Sequence, residues 1–511
     1  MVLEFGFCSS SIFFQRVYRN FMYMKKLNRQ ALAMAETPPI KIVQFGEGNF
    51  LRAFIGQAIQ ELNKHSDFNG GIAVVQPIPN GMIPQLKLQD GLYTLFCKGI
   101  KGGKAIEEKE IITNIVTAVN PYTEFTNYLS LAKEPDLQFV ISNTTEAGIA
   151  FDAEDMPQMQ PPNSFPGKLT LLLHKRFTHF KGAKDKGLNI IPCELINKNA
   201  DTLKQYVLDY CALWNLGDAF SNWLKDTCSF HNSLVDRIVT GYPKDDIDNY
   251  TSQLNYKDEL LVSAETYFLW VIEGGTELKA QLPFHKTNLD VKIVNDVQPY
   301  RTRKVRILNG AHTAMVPFNL LYGNETVKQG VDNVFTGSFI RSLVFEEIIP
   351  TLQMEKTELE SFADNVFDRF RNPFIKHQLA SIALNSISKF KVRVLPSLLE
   401  YIYLKKELPL GSVFSFACLL LFYRGTWRGK KLPVQDDENI VLEFSKIWES
   451  KDYHNVANTA LSKTDYWGEN LNHVPGLKKA VAIAMQHIDE TGIEKGWVNF
   501  NNLYKSNINE A

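Results

Sequence analysis

The sequence contains no group of cysteine or histidine residues at the spacing of a metal site. Its six cysteines form no CxxC pair, and its ten histidines form no HxxxH or HExxH motif. A zinc site needs several such ligands at short, regular spacing. We therefore predict no bound metal and reduced thiols in a cytoplasmic protein. The scattered cysteines are Cys8, Cys97, Cys193, Cys211, Cys228 and Cys418.

The chain also lacks an excess of charge of either sign. Its 55 lysines and arginines balance 56 aspartates and glutamates, for a formal net charge of -1. This balance predicts no broad basic surface for nucleic acid or an anionic membrane. Any anionic ligand must then be bound by a few basic or polar residues at a specific site, as in a protein that acts on small molecules.

No apolar run near the N-terminus is long enough to cross a membrane. Arg16 and Arg19 interrupt the first apolar stretch, and its positive charge follows the apolar part instead of preceding it. Both features argue against an export signal. We expect residues 1–23 to be an extension that is disordered or weakly amphipathic. The alternative is that they are not natively translated, because synthesis starts at Met22 or Met24.

Short apolar runs alternate with helix-sized segments over the first half of the chain. The runs IKIVQF, GIAVVQ, LQFVIS and LNIIPCEL have the length and composition of buried parallel strands. Beyond about Asn295 the strand signals fade and amphipathic helical patterns follow one another. The pattern predicts an α/β protein. A Rossmann-type, doubly wound dinucleotide-binding domain spans 24–296, and a mostly α-helical substrate domain spans 297–511.

The segment IKIVQFGEGNFLRAF is close to a dinucleotide-binding turn. Gly46 permits a tight turn after the first strand, and Gly48 lets a pyrophosphate approach the start of the next helix. Leu51 stands where the usual fingerprint has a third glycine, so we expect the helix to lie slightly farther from the sheet. The turn predicts cofactor contacts from Phe45, Gly46, Gly48, Asn49, Phe50 and Arg52.

Two further strand ends carry polar residues suited to the same cofactor. Gln76 ends the second strand, where an amide can bond a ribose hydroxyl, and no arginine stands beside it to pair a 2′-phosphate. This favours NAD over NADP. The loop NTTEAG follows the strand LQFVIS and offers Asn143, Thr144 and Glu146 to the cofactor. Alternatively, Asn143 and Thr144 cap the next helix.

The segment TRKVRILNGAHTAMVP carries three polar groups on or beside an apolar helix face. At the spacing of an α-helix, Lys304, Asn309 and His312 lie near a stripe that includes Leu308 and Met315. Burial is costly for such groups unless they are paired or used in function. Desolvation would let Lys304 act as a general base, and Asn309 and His312 would form hydrogen bonds with the substrate oxygen. The opposite, solvated side is expected to hold Arg303, Arg306 and Thr313.

Several long motifs resemble one known family. GEGNFLRAF, SNTTEAG, NSLVDRIVTGYP and KVRILNGAHTA are similar to motifs of the polyol-specific long-chain dehydrogenases, which include mannitol dehydrogenase and the hexuronate reductases. The resemblance runs from about Met24 to near Lys495. It implies the roles given above for Lys304, Asn309 and His312. It also implies that Asp236 and Lys389 contact the substrate.

The chain departs from the mannitol enzymes at three positions. Leu195 replaces the second oxyanion asparagine of a CDN motif, which leaves open whether Asn197 or Asn199 substitutes for it. Ser381 stands where those enzymes have an arginine, and Arg301 where they have a glutamate.

The change at Arg301 favours an acidic substrate over a neutral polyol. Arg301, Lys389 and Arg393 could neutralise a carboxylate, although Arg301 could instead be solvated at the domain boundary. We therefore expect an NAD-dependent oxidoreductase of a keto-hexuronate. The alternatives are a polyol dehydrogenase of the mannitol type and, in another class, a non-catalytic regulator that senses NADH.

Overall fold

The computed structural model describes residues 25–34, 36–145 and 147–508. They form two compact units. The first comprises the described residues before Gly99 together with Ile106–Val297, and the second comprises Gly99–Ala105 and the described residues from Gln298 onward. The predicted extension, residues 1–23, and the predicted cofactor residue Glu146 lie outside the described residues.

The first unit is built on a six-stranded parallel sheet. Its strand order is β5–β2–β1–β6–β7–β8. The strands of the chain are β1 Ile40–Phe45, β2 Gly71–Val75, β3 Tyr93–Lys101, β4 Lys104–Ile112, β5 Ile115–Val119, β6 Phe139–Ser142, β7 Asn189–Pro192, β8 Ser229–Phe230, β9 Ser233–Asp236, β10 Val239–Gly241, β11 Val262–Glu265, β12 Leu269–Glu273, β13 Asp290–Val294, β14 Thr426–Trp427 and β15 Lys430–Lys431.

Apolar residues cover both faces of this sheet. Along β1, Ile42 packs into one core and Val43 into another, and along β2 the same holds for Ile72 and Ala73. Strands buried on both faces are mostly apolar, which is why they appear as near-continuous apolar runs in the sequence. The four predicted strands correspond to β1, β2, β6 and β7, so the doubly wound α/β fold is confirmed.

The order of the strands reverses beside β1. The chain first adds β2 and β5 on one side of β1 and later adds β6, β7 and β8 on the other. In open α/β sheets, ligands bind outside the carboxyl ends of the strands at such a switch point. The turn after β1 and the loop after β6 therefore flank the expected dinucleotide site.

Helices cross over between the strands of the first unit, which also contains two smaller sheets of order β10–β11–β3–β4 and β13–β12–β9. The sequence patterns did not predict these smaller sheets. The α-helices are Asn49–Leu51, Gln57–His65, Ile83–Leu88, Phe125–Ser130, Phe165–His179, Asn199–Leu213, Asp218–Thr227, Ile247–Ser252 and Thr276–Gln281, with a π-helix at Arg52–Gly56 and 3₁₀ turns at Leu131–Lys133, Lys184–Lys186, Lys244–Asp246 and Phe284–Lys286.

The second unit is mostly helical and includes the small β14–β15 sheet. Its α-helices are Gln298–Arg303, Gly310–Tyr322, Val327–Asp332, Val334–Ser342, Lys356–Phe370, Leu379–Ile382, Ser386–Arg393, Leu395–Lys405, Leu410–Phe422, Glu438–Ile447, Tyr453–Leu461, Thr464–Trp467, Leu477–Thr491 and Ile493–Ile508, with π-helices at Lys304–Asn309 and Leu343–Ile348 and 3₁₀ turns at Ile349–Thr351 and Leu471–His473. Within the described part of the chain, every helix is too short or too polar to span a bilayer.

Candidate functional site

The turn after β1 requires glycine at its first position. Gly46 has a φ of +118°, and a Cβ there would lie 2.9 Å from both the Asn143 carbonyl oxygen and Leu51 Cδ1. Gly48 differs, because it is exposed and a Cβ would meet no atom within 4 Å. Gly46 is thus needed for the close packing of the turn. The open space at Gly48, just before the first helix, fits the approach of a dinucleotide phosphate.

Four of the predicted cofactor residues make contacts within the protein at or beside the turn. The buried Arg52 donates to the Glu47 carbonyl oxygen at 3.2 Å, to Asn49 Oδ1 at 2.6 Å and to the Leu260 carbonyl oxygen. Phe45 lies in the core, and Phe50 stacks on Phe54 with ring centres 5.1 Å apart. Direct contact of Phe45, Asn49, Phe50 or Arg52 with a cofactor stays a prediction.

Gln76 directs its amide nitrogen into its own loop. Nε2 donates to the Ile78 carbonyl oxygen at 2.8 Å and to the Pro79 carbonyl oxygen at 2.9 Å. Oε1 is buried without a hydrogen-bond donor in the described part of the chain. The group left to meet a ribose hydroxyl is therefore an acceptor, and that role for Gln76 also stays a prediction.

The loop after β6 is tied to the end of β7 by a buried carboxylate, Glu194. Its Oε1 accepts from the Thr144 backbone N–H at 2.9 Å and the Thr144 hydroxyl at 3.0 Å. Its Oε2 accepts from the Ser142 hydroxyl at 3.0 Å. Asn143 Nδ2 donates to the Cys193 carbonyl oxygen at 3.0 Å. Burial raises the pKa of the Glu194 carboxyl, while the hydrogen bonds from Thr144 and Ser142 lower it.

Asn143 and Thr144 do not cap the following helix. That helix begins at Phe165, and its cap is Ser164, whose hydroxyl accepts from the Gly167 N–H at 2.9 Å. The helix-cap alternative for Asn143 and Thr144 is wrong because a long loop separates β6 from the next α-helix. Both residues instead lie at the carboxyl end of β6, beside the switch point.

Lys304 and Asn309 are the first and last residues of a π-helical segment. The segment joins the α-helices Gln298–Arg303 and Gly310–Tyr322 into one continuous helix, 298–322, which we call the site helix. In a π-helix the hydrogen bonds link residues five apart, which brings Lys304 and Asn309 nearer to one face than α-helical spacing would. Sequence periodicity did not predict this segment.

His312 lies on the same helix among aromatic rings. Its imidazole is 4.3 Å from the Phe370 ring and 6.0 Å from the His377 ring, measured between ring centres. Lys304, Asn309 and His312 are all partly buried, so these three side chains are neither fully solvated nor sealed in the core. Their catalytic roles stay a prediction.

The expected solvated side of the site helix is buried at two of its three positions. Arg303 is 3% exposed and pairs with Glu358 at 2.9 Å, and Thr313 is 5% exposed. Arg306 is partly buried, and burial lowers the pKa of its guanidinium. The expectation was wrong because Lys356–Phe370 and other helices pack around the site helix, so apolar periodicity does not mark its exposed side.

The predicted carboxylate-binding residues of the second unit are partly buried cations. Helix Ser386–Arg393 packs on the site helix so closely that a Cβ at Gly310 would lie 3.1 Å from the Arg393 carbonyl oxygen. Lys389 Nζ donates to the Ile382 carbonyl oxygen at 3.0 Å. Burial is the main cause that lowers the pKa of Arg301, Lys389 and Arg393. Partial burial also means that Arg301 is not simply solvated.

Asp236, the predicted substrate contact of the first unit, is the buried last residue of β9. The neighbouring Arg237 is also buried. It donates to the Ala53 carbonyl oxygen at 2.6 Å and to the Glu265 carbonyl oxygen at 2.8 Å. Sequence reasoning missed this anchoring role, although Arg237 is part of the VDR motif that identified Asp236. Binding of substrate by Asp236 stays a prediction.

Asn199 is fully engaged within the protein. Its Nδ2 donates to the carbonyl oxygens of Pro192, Glu194 and Ser233 at 2.9–3.1 Å. These contacts leave its amide group no free hydrogen for a substrate oxyanion. Of the two candidates for the role lost at Leu195, the structure therefore disfavours Asn199. Sequence reasoning also missed Glu194, whose signal was a carboxylate two residues after a buried strand.

Both units match models of one protein family. Residues 40–286 match the mannitol dehydrogenase Rossmann domain, and residues 296–489 match the mannitol dehydrogenase C-terminal domain. The chain is 48% identical over 474 residues to an altronate oxidoreductase of Bacillus subtilis (strain 168), covering 92% of this chain and 97% of the relative. It is 45% identical to an altronate oxidoreductase of Escherichia coli O139:H28, and the match covers 92% of this chain and 99% of that relative.

Solved structures show the same fold. A substrate-free D-sorbitol dehydrogenase aligns with a TM-score of 0.76 at 21% identity, covering 92% of this chain and 99% of that one. Mannitol 2-dehydrogenase from Pseudomonas fluorescens, in a ternary complex with NAD and D-mannitol, aligns with a TM-score of 0.64 at 19% identity, covering 93% and 99%. With both domain models matched across most of its length, the chain belongs to the mannitol dehydrogenase family.

Proposed function

We propose that the protein is an NAD-dependent oxidoreductase that interconverts D-tagaturonate and D-altronate. The observation that carries this proposal is the 45–48% identity over 97–99% of the length of relatives named altronate oxidoreductase. The doubly wound sheet, with an open glycine turn at its switch point, supports the use of a dinucleotide. Gln76, and the absence of an arginine beside it, favours NAD over NADP.

The residues of the turn fit such a cofactor. Gly46 keeps the turn close to the loop after β6, and Gly48 leaves open space before the N-terminus of the helical segment 49–65. Helix N-termini favour bound phosphate because their first N–H groups have no partner within the helix. A bound dinucleotide would supply the hydride acceptor for the carbinol carbon of altronate and, when reduced, the hydride donor for the carbonyl carbon of tagaturonate.

Proton transfer is assigned to the site helix. In the oxidation of altronate, Lys304 Nζ takes the proton of the reacting hydroxyl as the hydride leaves. In the reduction of tagaturonate, the Lys304 ammonium returns a proton to the oxygen. Asn309 and His312 form hydrogen bonds with that oxygen and stabilise its developing negative charge. The π-helical segment supports this assignment, since such segments often occur at functional sites.

Recognition of the sugar acid is assigned to a small set of charged residues. The cations Arg301, Lys389 and Arg393 neutralise the substrate carboxylate, and Asp236 accepts hydrogen bonds from substrate hydroxyls. Partial burial of the three cations supports this role, because a carboxylate would relieve their desolvation. A neutral ketose offers no such relief, so the acid is expected to be the better substrate.

The test is a comparison of NADH oxidation with tagaturonate, fructuronate and fructose at equal concentration. We expect turnover in the order tagaturonate, fructuronate, fructose, and lower kcat/KM when NADPH replaces NADH. Faster turnover of fructuronate would assign the protein to mannonate formation instead. Equal reduction of fructose would contradict carboxylate recognition. Tight NADH binding without turnover of any of these compounds would favour a regulator that senses NADH.

A further inference from the structure

The buried carboxylate of Glu194 accepts hydrogen bonds from the end of β6 and from the loop that follows it. Its side chain is 2% exposed and accepts three hydrogen bonds, two from Thr144 and one from Ser142, at 2.9–3.0 Å. It makes no ion pair with another described residue. Its burial is therefore balanced by donors from Ser142 and Thr144, whose positions it fixes in turn.

The position of Glu194 in the sheet connects it to the cofactor. A doubly wound sheet binds a dinucleotide with one mononucleotide half on each side of the switch point. Here β1, β2 and β5 form the first half, and β6, β7 and β8 form the second. Glu194 follows β7, and its partners end β6 and begin the next loop. It therefore lies in the half that receives the nicotinamide.

The loop that Glu194 holds also contacts the glycine turn. The Asn143 carbonyl oxygen would be 2.9 Å from a Cβ at Gly46, and the Asn143 N–H donates to the Phe45 carbonyl oxygen at 3.1 Å. The residue after Thr144, Thr145, has a φ of +75°. A loop packed this closely and bent this sharply depends on its anchors, because left-handed backbone is costly for a β-branched residue.

We propose that Glu194 is a positioning residue of the cofactor site, which holds Ser142–Thr144 in the conformation that binds the nicotinamide half of the dinucleotide. The proposal rests on the dinucleotide binding of the proposed function. Glu194 acts through hydrogen bonds to the loop and takes no part in the transfer of hydride or protons. The glutamine variant can keep these bonds, because its amide oxygen can accept from Thr144 and the Ser142 hydroxyl can rotate to accept from its nitrogen.

The experiment compares NADH binding by the full-length wild type, Glu194→Ala and Glu194→Gln. Dissociation constants come from titration of NADH fluorescence, and unfolding midpoints come from thermal melts. We expect Glu194→Ala to raise the Kd for NADH about tenfold or more. Glu194→Gln should recover most of that loss. Ser142→Ala, which removes one of the three bonds, should raise the Kd about threefold and keeps the proposal testable if Glu194→Ala does not fold.

Arg176→Ala is the matched structural control. Arg176 is as buried as Glu194, and it anchors the segments that lead into the amino ends of the same two strands, β6 and β7. It donates to the Leu137 carbonyl oxygen, just before β6, and to the Lys186 carbonyl oxygen, just before β7, at 3.0 and 2.8 Å. Its loss should lower the unfolding midpoint without changing the Kd for NADH by more than about twofold.

Two results would overturn the proposal. One is a folded Glu194→Ala protein, or a folded Ser142→Ala protein where the former is insoluble, that binds NADH as tightly as the wild type. The other is a Glu194→Gln protein that loses as much affinity for NADH as Glu194→Ala. That result would show that the negative charge of Glu194, and not its hydrogen bonds to the loop, supports NADH binding. Failure of the wild type to bind NADH would instead overturn the proposed function, and the positioning role with it.

Discussion

Lys304 lies at the start of the π-helical segment of the site helix, five residues before Asn309. If it is the general acid and base, Lys304→Ala should lower kcat roughly 10²–10⁴-fold, which is the usual contribution of such a group. The Kd for NADH should stay unchanged, because the glycine turn is in the first unit. Steady-state kinetics and NADH titration of the purified variant give both quantities.

Lys391→Ala is a suitable control for that variant. Lys391 is another lysine of the second unit, and its Nζ donates to the Asp465 carbonyl oxygen at 3.2 Å. Its loss should leave kcat within about twofold of the wild type, as for most surface contacts. A Lys304→Ala enzyme with near-normal turnover would remove Lys304 from the mechanism.

At the level of single residues, the sequence predicts what depends on local geometry. Gly46 was identified because a tight turn after a strand requires its backbone conformation, and the structure gives it a φ of +118°. The burial of Arg303 and Thr313 could not be predicted in this way. It depends on helices such as Lys356–Phe370, which are distant in the sequence and pack around the site helix.

Among the helices of the second unit, Leu410–Phe422 has an unusual N-terminal partner. The Glu347 carboxylate accepts from the N–H groups of Gly411 and Ser412 and from the Ser412 hydroxyl, each at 2.7 Å. These are among the N–H groups that lack partners within the helix. Burial nevertheless raises the pKa of Glu347 to about 7, from 4.5. The folded state therefore favours the protonated form.

This shift predicts a stability that falls with rising pH. The contribution of Glu347 is fully present below pH 4.5 and is lost as the pH rises through about 7. Thermal midpoints measured between pH 5 and pH 8 should therefore fall less steeply for Glu347→Gln than for the wild type. Glu449→Gln, a change at an exposed side chain of the same unit, should retain the wild-type slope. Parallel slopes for all three proteins would contradict the assignment to Glu347.

Strands can be predicted from the sequence where most of their residues are buried. β1, β2, β6 and β7 are largely buried and appear as mostly apolar runs. β4 has mostly exposed and partly buried residues, so it carries no such run. The π-helical segment at Lys304–Asn309 has no periodic signature of its own, because its sequence also suits an α-helix.

At the scale of the whole chain, the division into an α/β half and a helical half is visible in the apolar pattern. The structure divides the chain between Val297 and Gln298 and also assigns Gly99–Ala105 to the second unit. That short segment comprises the end of β3, the turn that follows it and the start of β4, all within the first half of the sequence. Its membership depends on contacts across long sequence separation, such as the Gly102 N–H to Asp368 at 3.1 Å, which local patterns do not encode.

The start of the described chain is anchored to the first unit. Leu27 is 1% exposed, and its N–H donates to the Lys257 carbonyl oxygen at 3.1 Å. Arg29 donates to the carbonyl oxygens of Thr113 and Ile115 at 2.7 and 3.0 Å. Burial of a leucine side chain alone contributes about 2 kcal/mol. The segment 25–34 therefore stabilises the fold, although it precedes the residues matched by the family models.

Two truncations that begin at native methionines test this anchoring. A chain that begins at Met24 keeps Leu27 and Arg29, so it should retain the wild-type unfolding midpoint and NADH turnover. A chain that begins at Met34 loses both anchors and exposes the carbonyl oxygens of Thr113 and Ile115, so its midpoint should fall by several degrees. Insolubility or inactivity of the Met24 chain would show that residues 1–23 are required for the folded enzyme. Equal midpoints for the two truncations would show that segment 25–34 contributes little to stability.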